Sequence, residues 1–306
     1  MNFEEGWFFP YFGYQRASLA GINKTPISYY GGEQRMANLI VSLIPDHKLY
    51  CEPFVGGAAV FFVKEPSEVE VINDLNGHVV NFYRICQTHF KKLEKLVKST
   101  PHSRQLHREA KETLKNPYNY SPLQVTWAFW AQTTMSFSAV IFGGYAYERY
   151  SNRVLKTFLH KKIAFTTDIR DRLKGVNIEN KDAIEVIKHC DKQNSFFYCD
   201  PPYFNSDMGH YKGYTVRDFE ELLKVLSNLN GMFLLSSYPS GILSQYTKKH
   251  RWHTLKKEIR VAVTSQTDMV KTEELTANYP IYHGLNGLDT VIHVKARALK
   301  LQFELV

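Results

Sequence analysis

The 306-residue chain lacks several features, and each absence narrows what it can be. No apolar run reaches the roughly 18 residues that a membrane-spanning helix needs. The opening Met1-Asn2-Phe3-Glu4-Glu5 is acidic where a secretory leader opens basic, and no leader-type apolar segment follows it. Cysteine is scarce: Cys51, Cys86, Cys190 and Cys199 stand far apart with no Cys-x-x-Cys pair. That excludes a zinc ribbon and predicts free thiols in a reducing cytoplasm. The twelve histidines show no ligand spacing with one another or with the cysteines, so no metal is expected. Internal repeats and low-complexity tracts are missing, as is the Gly-x-Gly-x-x-Gly fingerprint of nicotinamide-binding folds. What remains is ordinary globular composition, 44% hydrophobic and 22% charged residues, which excludes disorder, collagen and coiled coil.

The net charge of +8 is unevenly spread. Lys91 to Lys115 carries eight basic residues against three acidic, and Tyr145 to Lys174 has the same balance. Between Tyr50 and Val80 the sign reverses, with Lys64 alone against Glu52, Glu65, Glu68, Glu70 and Asp74. A basic middle beside an acidic early segment fits a polyanion-binding insertion next to a small-molecule site. It fits solvated helix faces equally well, so charge alone decides nothing.

Hydrophobic periodicity is more informative. Residues 1–28 form an aromatic-rich arm without clear period. Met36, Leu39, Ile40 and Leu43 share one face of a short helix predicted over Gln34–Leu43 and ended by Pro45. Leu49–Glu52 and Val69–Ile72 read as strands, separated by the turn Pro53-Phe54-Val55-Gly56-Gly57 and an apolar helix over Ala58–Val63. Strand, glycine turn, helix, strand is how an α/β nucleotide-type fold opens. Residues 77 to about 160 then read as helical over Val79–Leu96, Ser103–Leu114 and Leu123–Phe137, with Pro101, Pro117 and Pro122 as breaks. They interrupt the alternation as an insertion. It resumes with a strand at Val176–Glu179, a helix over Asp182–His189, an apolar strand Ser195–Cys199, a helix opened by the Thr215/Asp218 capping box and a strand at Met232–Leu235. The tail reads as two β-segments, Glu274–Tyr279 and Thr290–Ala296. The expected fold class is α/β, a mostly parallel Rossmann-like sheet with helices on both faces.

The sharpest chemical signal is Asp200-Pro201-Pro202-Tyr203 at the end of an apolar strand, where open α/β sheets bind ligands. An aromatic amino group is a poor nucleophile because its lone pair is delocalised into the ring. A carboxylate and a backbone carbonyl that accept its two N–H bonds would localise that pair. Asp200 can supply the first and Pro201 the second, held rigid by proline, while Tyr203 offers a face for a planar base. Glu52-Pro53-Phe54-Val55-Gly56-Gly57 is a second signal, with Asp74 following the glycines by 17 to 18 residues. Glycines let backbone approach a ligand, and an acid there suits a ribose diol.

In order, Tyr30-Gly31-Gly32, Glu52-Pro53-Phe54-Val55-Gly56-Gly57, Asn73-Asp74-Leu75-Asn76, an insertion, Asn180-Lys181-Asp182 and Tyr198-Cys199-Asp200-Pro201-Pro202-Tyr203 resemble the Dam-like DNA adenine-N6 methyltransferases. Gly209 to Thr215 and Lys271-Thr272-Glu273-Glu274-Leu275 add to the agreement, and the resemblance covers about residues 27–280. It implies S-adenosylmethionine as cofactor. Tyr29, Tyr30, Gly31, Gly32, Glu52, Pro53, Phe54, Gly56 and Gly57 would hold its methionine end, Asp74 its ribose, and Asp182 with Ala183 its adenine. Asp200, Pro201, Pro202 and Tyr203 would grip the target adenine. The implied division is a cofactor-binding part over 1–76, a helical target-recognition domain over 77–160, and the rest of the catalytic domain over 161–306. Glu33 departs from the family, whose members carry lysine after the double glycine.

The substrate expected from the resemblance is adenine N6 in double-stranded DNA, reached by base flipping and direct transfer, with no metal and no membrane involved. Arg149, Asn152 and Arg153 are residue types that read guanine or adenine edges, and Tyr211 with Lys212 would lie near the flipped base. A nicotinamide-dependent oxidoreductase, a catalytically silent DNA-binding homologue, and methylation of RNA or of cytosine N4 are the rival readings. A restriction endonuclease partner stays open.

Overall fold

The computed structural model describes residues 25–28, 36–205, 213–264 and 267–281. Its sheet is made by short runs that are apolar on both sides. Tyr50, Phe196, Tyr198 and Leu234 enter one hydrophobic cluster, while Cys51, Phe197, Cys199, Phe233 and Leu235 enter another on the opposite face. Strands buried on both faces read as continuous apolar runs and require helices on each side.

Along the chain come α1 (Ala37–Ser42), β1 (Leu49–Glu52), α2 (Ala59–Val63), β2 (Val69–Asn73), α3 (Gly77–Thr88), α4 (Phe90–Ser99), α5 (Arg104–Lys115), α6 (Pro122–Met135), α7 (Arg153–Ile163) and α8 (Thr167–Leu173). They are followed by β3 (Asn177–Glu179), α9 (Ala183–Cys190), β4 (Ser195–Cys199), α10 (Val216–Leu226), β5 (Met232–Ser237), α11 (Gly241–His250), β6 (His253–Thr264) and β7 (Thr267–Ala277). The sheet order is β3-β2-β1-β4-β5-β7-β6. The first five strands run parallel, and β7 is antiparallel to both β5 and β6. This is the expected α/β architecture.

Local signals explain most boundaries. Pro122 occupies the first turn of α6, whose N-cap Ser121 forms a reciprocal capping box with Gln124, and Thr215 with Asp218 does the same for α10. Helix α6 buries residues all round, among them Val125, Phe129, Trp130 and Met135, as a helix at the centre of a bundle does. The cluster that contains Phe82 and Phe196 runs on through Phe90, Leu114, Trp130 and Phe158, so the apolar interior is continuous from the sheet into the helices that follow β2.

Three expectations are corrected. The helix read as Val79–Leu96 is two helices, α3 and α4, broken at His89. There the Thr88 hydroxyl donates back to Arg84 O at 2.7 Å, competing with the helical ladder. The helical stretch continues through α7 and α8 to Leu173, so residue 160 lies inside α7. The expected segment Glu274–Tyr279 is the end of β7, a longer strand paired in an antiparallel hairpin with β6. Lys256, Lys257 and Glu258 on this edge strand hid it from any search for apolar runs. Thr290–Ala296, the aromatic arm before residue 25 and the start of the first helix at Gln34 lie outside the described residues. The four cysteines are buried free thiols. Among the described residues no helix is long and apolar enough to cross a membrane.

Candidate active site

The chain steps outward from β1 through β2 to β3, then returns to lay β4 on the other side of β1. In such a sheet ligands collect beyond the carboxyl ends of the strands at the point of reversal, which here lies between β1 and β4. The end of β1 carries Glu52 and the turn 53–57, and the end of β4 carries Asp200-Pro201-Pro202-Tyr203. Asp74 and Asp182 follow the neighbouring strands β2 and β3.

The turn is shaped by its own backbone. Val55 N–H donates to Asn73 O at 2.8 Å, and Ala58 N–H to Val55 O at 2.6 Å. Gly56 sits at φ +42°, in the left-handed region that glycine enters without side-chain cost. Asp74 closes the turn from β2: its Oδ2 accepts Gly56 N–H at 2.9 Å and its Oδ1 accepts Asn76 N–H at 2.8 Å. Burial pushes the Asp74 carboxyl up, against the downward pull of those two donors. From α3, the Tyr83 hydroxyl donates to Gly56 O at 2.9 Å.

Asn73 fastens three strand ends together. Its Nδ2 donates to Pro53 O at 2.9 Å and to Lys181 O at 3.1 Å, and its Oδ1 accepts Lys181 N–H at 2.9 Å. Asn180 adds a second tie, donating to Asp74 O at 2.8 Å and to Leu75 O at 3.2 Å. Asp182 caps α9 by accepting Ile184 N–H at 2.8 Å, and Ala183 beside it is buried. Neither Asn73 nor Asn180 stood among the expected site residues. Both occur in the motif strings, where an amide side chain that ties one turn to another has no sequence signature of its own.

Glu52 is 2% exposed. Its Oε2 accepts the Tyr50 hydroxyl at 2.8 Å. Burial raises this carboxyl to about 8, outweighing the Tyr50 hydrogen bond and the nearby charges of Lys64 and Arg172.

At β4, Asp200 is half-buried and Pro201 buried. The Tyr203 hydroxyl lies 3.1 Å from Asp200 Oδ1 and also contacts the Glu273 carboxylate of β7. Glu273 is buried. The Tyr203 ring meets Tyr238, just beyond β5, edge to face with centroids 4.5 Å apart, and Lys271 Nζ lies 5.2 Å from the Tyr238 centroid. Tyr238 was not expected from sequence. Glu273 was legible only within the string Lys271–Leu275, without a role.

Arg149, Asn152 and Arg153 are exposed in the stretch between α6 and the start of α7, with Arg153 3.5 Å from Glu148. The same stretch exposes Phe137, Phe142, Tyr147 and Tyr150. Tyr29, Tyr30, Gly31, Gly32, Glu33, Tyr211 and Lys212 lie outside the described residues. Among the described residues no group of three or more histidine, cysteine or acidic side chains is placed to hold a metal ion.

A family model described as D12 class N6 adenine-specific DNA methyltransferase matches residues 29–257. The chain is 24% identical over 281 residues to a Type II methyltransferase of Lactococcus lactis subsp. cremoris, covering 84% of this chain and 96% of that protein. Among solved structures, a Pyrococcus horikoshii protein assigned to the RNA methyltransferases aligns at 7% identity and TM-score 0.35, covering 83% of this chain and 87% of that one. A precorrin-6y C5,15-methyltransferase of Geobacter metallireducens aligns at 10% identity and TM-score 0.34, covering 80% and 87%. Both structural likenesses are too distant to bear on function.

Proposed function

This chain belongs to the D12 class of N6 adenine-specific DNA methyltransferases, and from that premise we propose that it transfers the methyl group of S-adenosylmethionine directly to N6 of an adenine flipped out of double-stranded DNA. The observation that carries the proposal is that Asp200-Pro201-Pro202-Tyr203 and the Glu52 turn follow two paired parallel strands, β4 and β1, at their carboxyl ends.

The donor set fits the cofactor. Each oxygen of Asp74 accepts one backbone N–H and keeps a lone pair for a ribose hydroxyl. Asp182 and Ala183 stand at the next strand end for the adenine. The turn 53–57, with Glu52 and residues 29–32, is assigned to the methionine end. When bound, S-adenosylmethionine supplies an electrophilic methyl carbon on a sulfonium, so no covalent enzyme intermediate is needed.

On the substrate side, Asp200 and the Pro201 carbonyl accept the two N–H bonds of the adenine amine. Their pull localises the lone pair on N6. Asp200 stabilises the positive charge that grows on that nitrogen as the new bond forms, an interaction stronger in the transition state than before it. Tyr203 provides a stacking face that offsets part of the few kcal/mol lost when a base leaves the duplex. The basic helices after β2 are assigned to the DNA phosphates, and Arg149, Asn152 and Arg153 to base edges. The curated relative is a Type II methyltransferase, which supports a place in restriction–modification, and a DNA substrate supports work in the cytoplasm.

Mapping modified bases in DNA from cells that express the chain tests this. N6-methyladenine within one recurring sequence is the expected result. N4-methylcytosine, or unmodified DNA from cells that hold folded protein, would overturn it.

A further inference from the structure

Strand β7 reaches the candidate site with every second residue. Successive side chains of a strand point to opposite faces, and its two adjacent acids divide accordingly. Glu274 faces Lys256 of β6, with Oε2 and Nζ 3.6 Å apart. Glu273 turns to the other face, where its carboxylate accepts the Tyr203 hydroxyl. Lys271, two residues earlier on that face, has its Nζ 5.2 Å from the Tyr238 centroid, and Tyr238 meets Tyr203 edge to face. Leu275, two residues later, joins the core cluster of Phe196 and Leu234. One face of β7 therefore backs both tyrosines and is itself rooted in the core. Glu273 is 4% exposed. Lys257 stands opposite it in the β6–β7 ladder, where paired residues share a face, so Lys257 and Lys271 put positive charge on the side of the strand to which this carboxylate turns.

The Tyr203 hydroxyl has one hydrogen and two acids within reach, Glu273 and Asp200, whose Oδ1 lies 3.1 Å away. Where that hydrogen sits decides what Asp200 has left for a substrate. Donated to Asp200, it occupies one lone pair of the carboxylate and draws its electron density, which weakens the hold on an amine. Donated to Glu273, it leaves the acceptor capacity of Asp200 intact.

Resting on the methyl-transfer reading above, we propose that Glu273 is a positioning residue for the reaction: it draws the Tyr203 hydrogen away from Asp200, so that the carboxylate meeting the adenine amine keeps its full pull on the two-hydrogen nitrogen. Glu273 acts through Tyr203 and touches neither base nor cofactor. No covalent bond changes; a hydrogen bond is kept on β7 instead of at the end of β4.

Single-turnover methyl transfer to duplex DNA, with cofactor and DNA saturating, tests this in wild type, Glu273→Gln, Tyr203→Phe and the double variant. Glutamine keeps an oxygen to accept the hydroxyl but loses the charge that attracts it. Glu273→Gln is expected to slow transfer about tenfold, an effect within the range that contacting residues show in such cycles. In the Tyr203→Phe background there is no hydrogen to withhold, and the same substitution is expected to change the rate by less than about 2-fold. A purely structural role gives no such cancellation. With 2-aminopurine at the target position, whose fluorescence rises when it leaves the stack, wild type and Glu273→Gln are expected to give equal signals, because the Tyr203 ring remains. Glu273→Asp, which withdraws the carboxylate by one methylene, is the second arm if the glutamine variant does not fold; it too should slow transfer only while the Tyr203 hydroxyl is present. A wild-type rate from the folded variant, an equal loss in the Tyr203→Phe background, or a flipping signal that falls with the rate would each overturn the role given to Glu273. If the wild type methylates no adenine, the reading beneath this inference falls, a result distinct from methylation that is indifferent to Glu273.

Discussion

Two carboxylates from different strands reach the same hydroxyl. Tyr203 has one O–H to divide between Asp200 Oδ1 and Glu273, so its ring is anchored through the tip and Asp200 is held beside it. Tyr203→Phe keeps the ring and removes both contacts. Hydrogen bonds to charged groups contribute about 1.5–3 kcal/mol, so single-turnover methyl transfer should slow about 10- to 100-fold, with cofactor affinity unchanged within about 2-fold. An unchanged rate would show that the hydroxyl has no part in aligning Asp200. Asp200, Tyr203 and Asp74 were legible in the sequence because acids and tyrosine at a strand end beside proline or glycine have few other chemical uses. Glu273 and Tyr238 were not, since their contacts cross from β7 and β5 to a residue as much as 70 positions away. Sequence carries no trace of that pairing until the sheet order is known.

At the scale of elements, the site is a set of turns held in register. Asn73 makes three hydrogen bonds that join the ends of β1 and β2 to the segment after β3. Asn73→Ala leaves those buried partners unsatisfied and is expected to cost about 2–4 kcal/mol in urea unfolding, at about 1–3 kcal/mol per orphaned group less local relaxation. It should also weaken cofactor binding, which an effect confined to stability would not do. The tie between β2 and α8 carries a pH signature. Burial pushes the Glu70 carboxyl up, but the Arg172 hydrogen bond and the charges of Lys64 and Arg172 prevail and hold it below its ordinary value. A depressed acid contributes stability that is present above its unfolded-state pKa and lost as pH falls through the folded one. The wild type should therefore lose stability below about pH 4.5, with Glu70→Gln flat over that window and about 3–5 kcal/mol less stable at neutral pH. Equal slopes for the two proteins would remove Glu70 as the cause. Strands β1, β2, β4 and β5 were legible as short apolar runs, because a strand buried on both faces announces itself by composition. The charged hairpin of β6 and β7 and the break at His89 depend on edge exposure and on a single hydroxyl, which periodicity does not register.

Over the whole molecule, one of the two apolar clusters runs from a face of the sheet into the helices after β2, and the candidate site stands where the strand order reverses. With its interior shared in this way, the protein is expected to unfold in a single transition. Buried Trp130 on α6, in that cluster, and buried Trp252 just before β6, in the cluster on the other face of the sheet, report on both, and separate fluorescence and circular dichroism midpoints would contradict a single cooperative unit. The chemistry at the reversal point has its own direct test. The protein is incubated with double-stranded DNA and methyl-labelled S-adenosylmethionine, alongside Asp200→Asn, and the DNA is digested to nucleosides. The expected label appears in N6-methyladenine alone, and the variant, with cofactor affinity within a few fold of wild type, transfers it about 100- to 1,000-fold more slowly. Label on cytosine, or an Asp200→Asn rate equal to wild type, would contradict a carboxylate at the end of β4 that makes the adenine amine reactive.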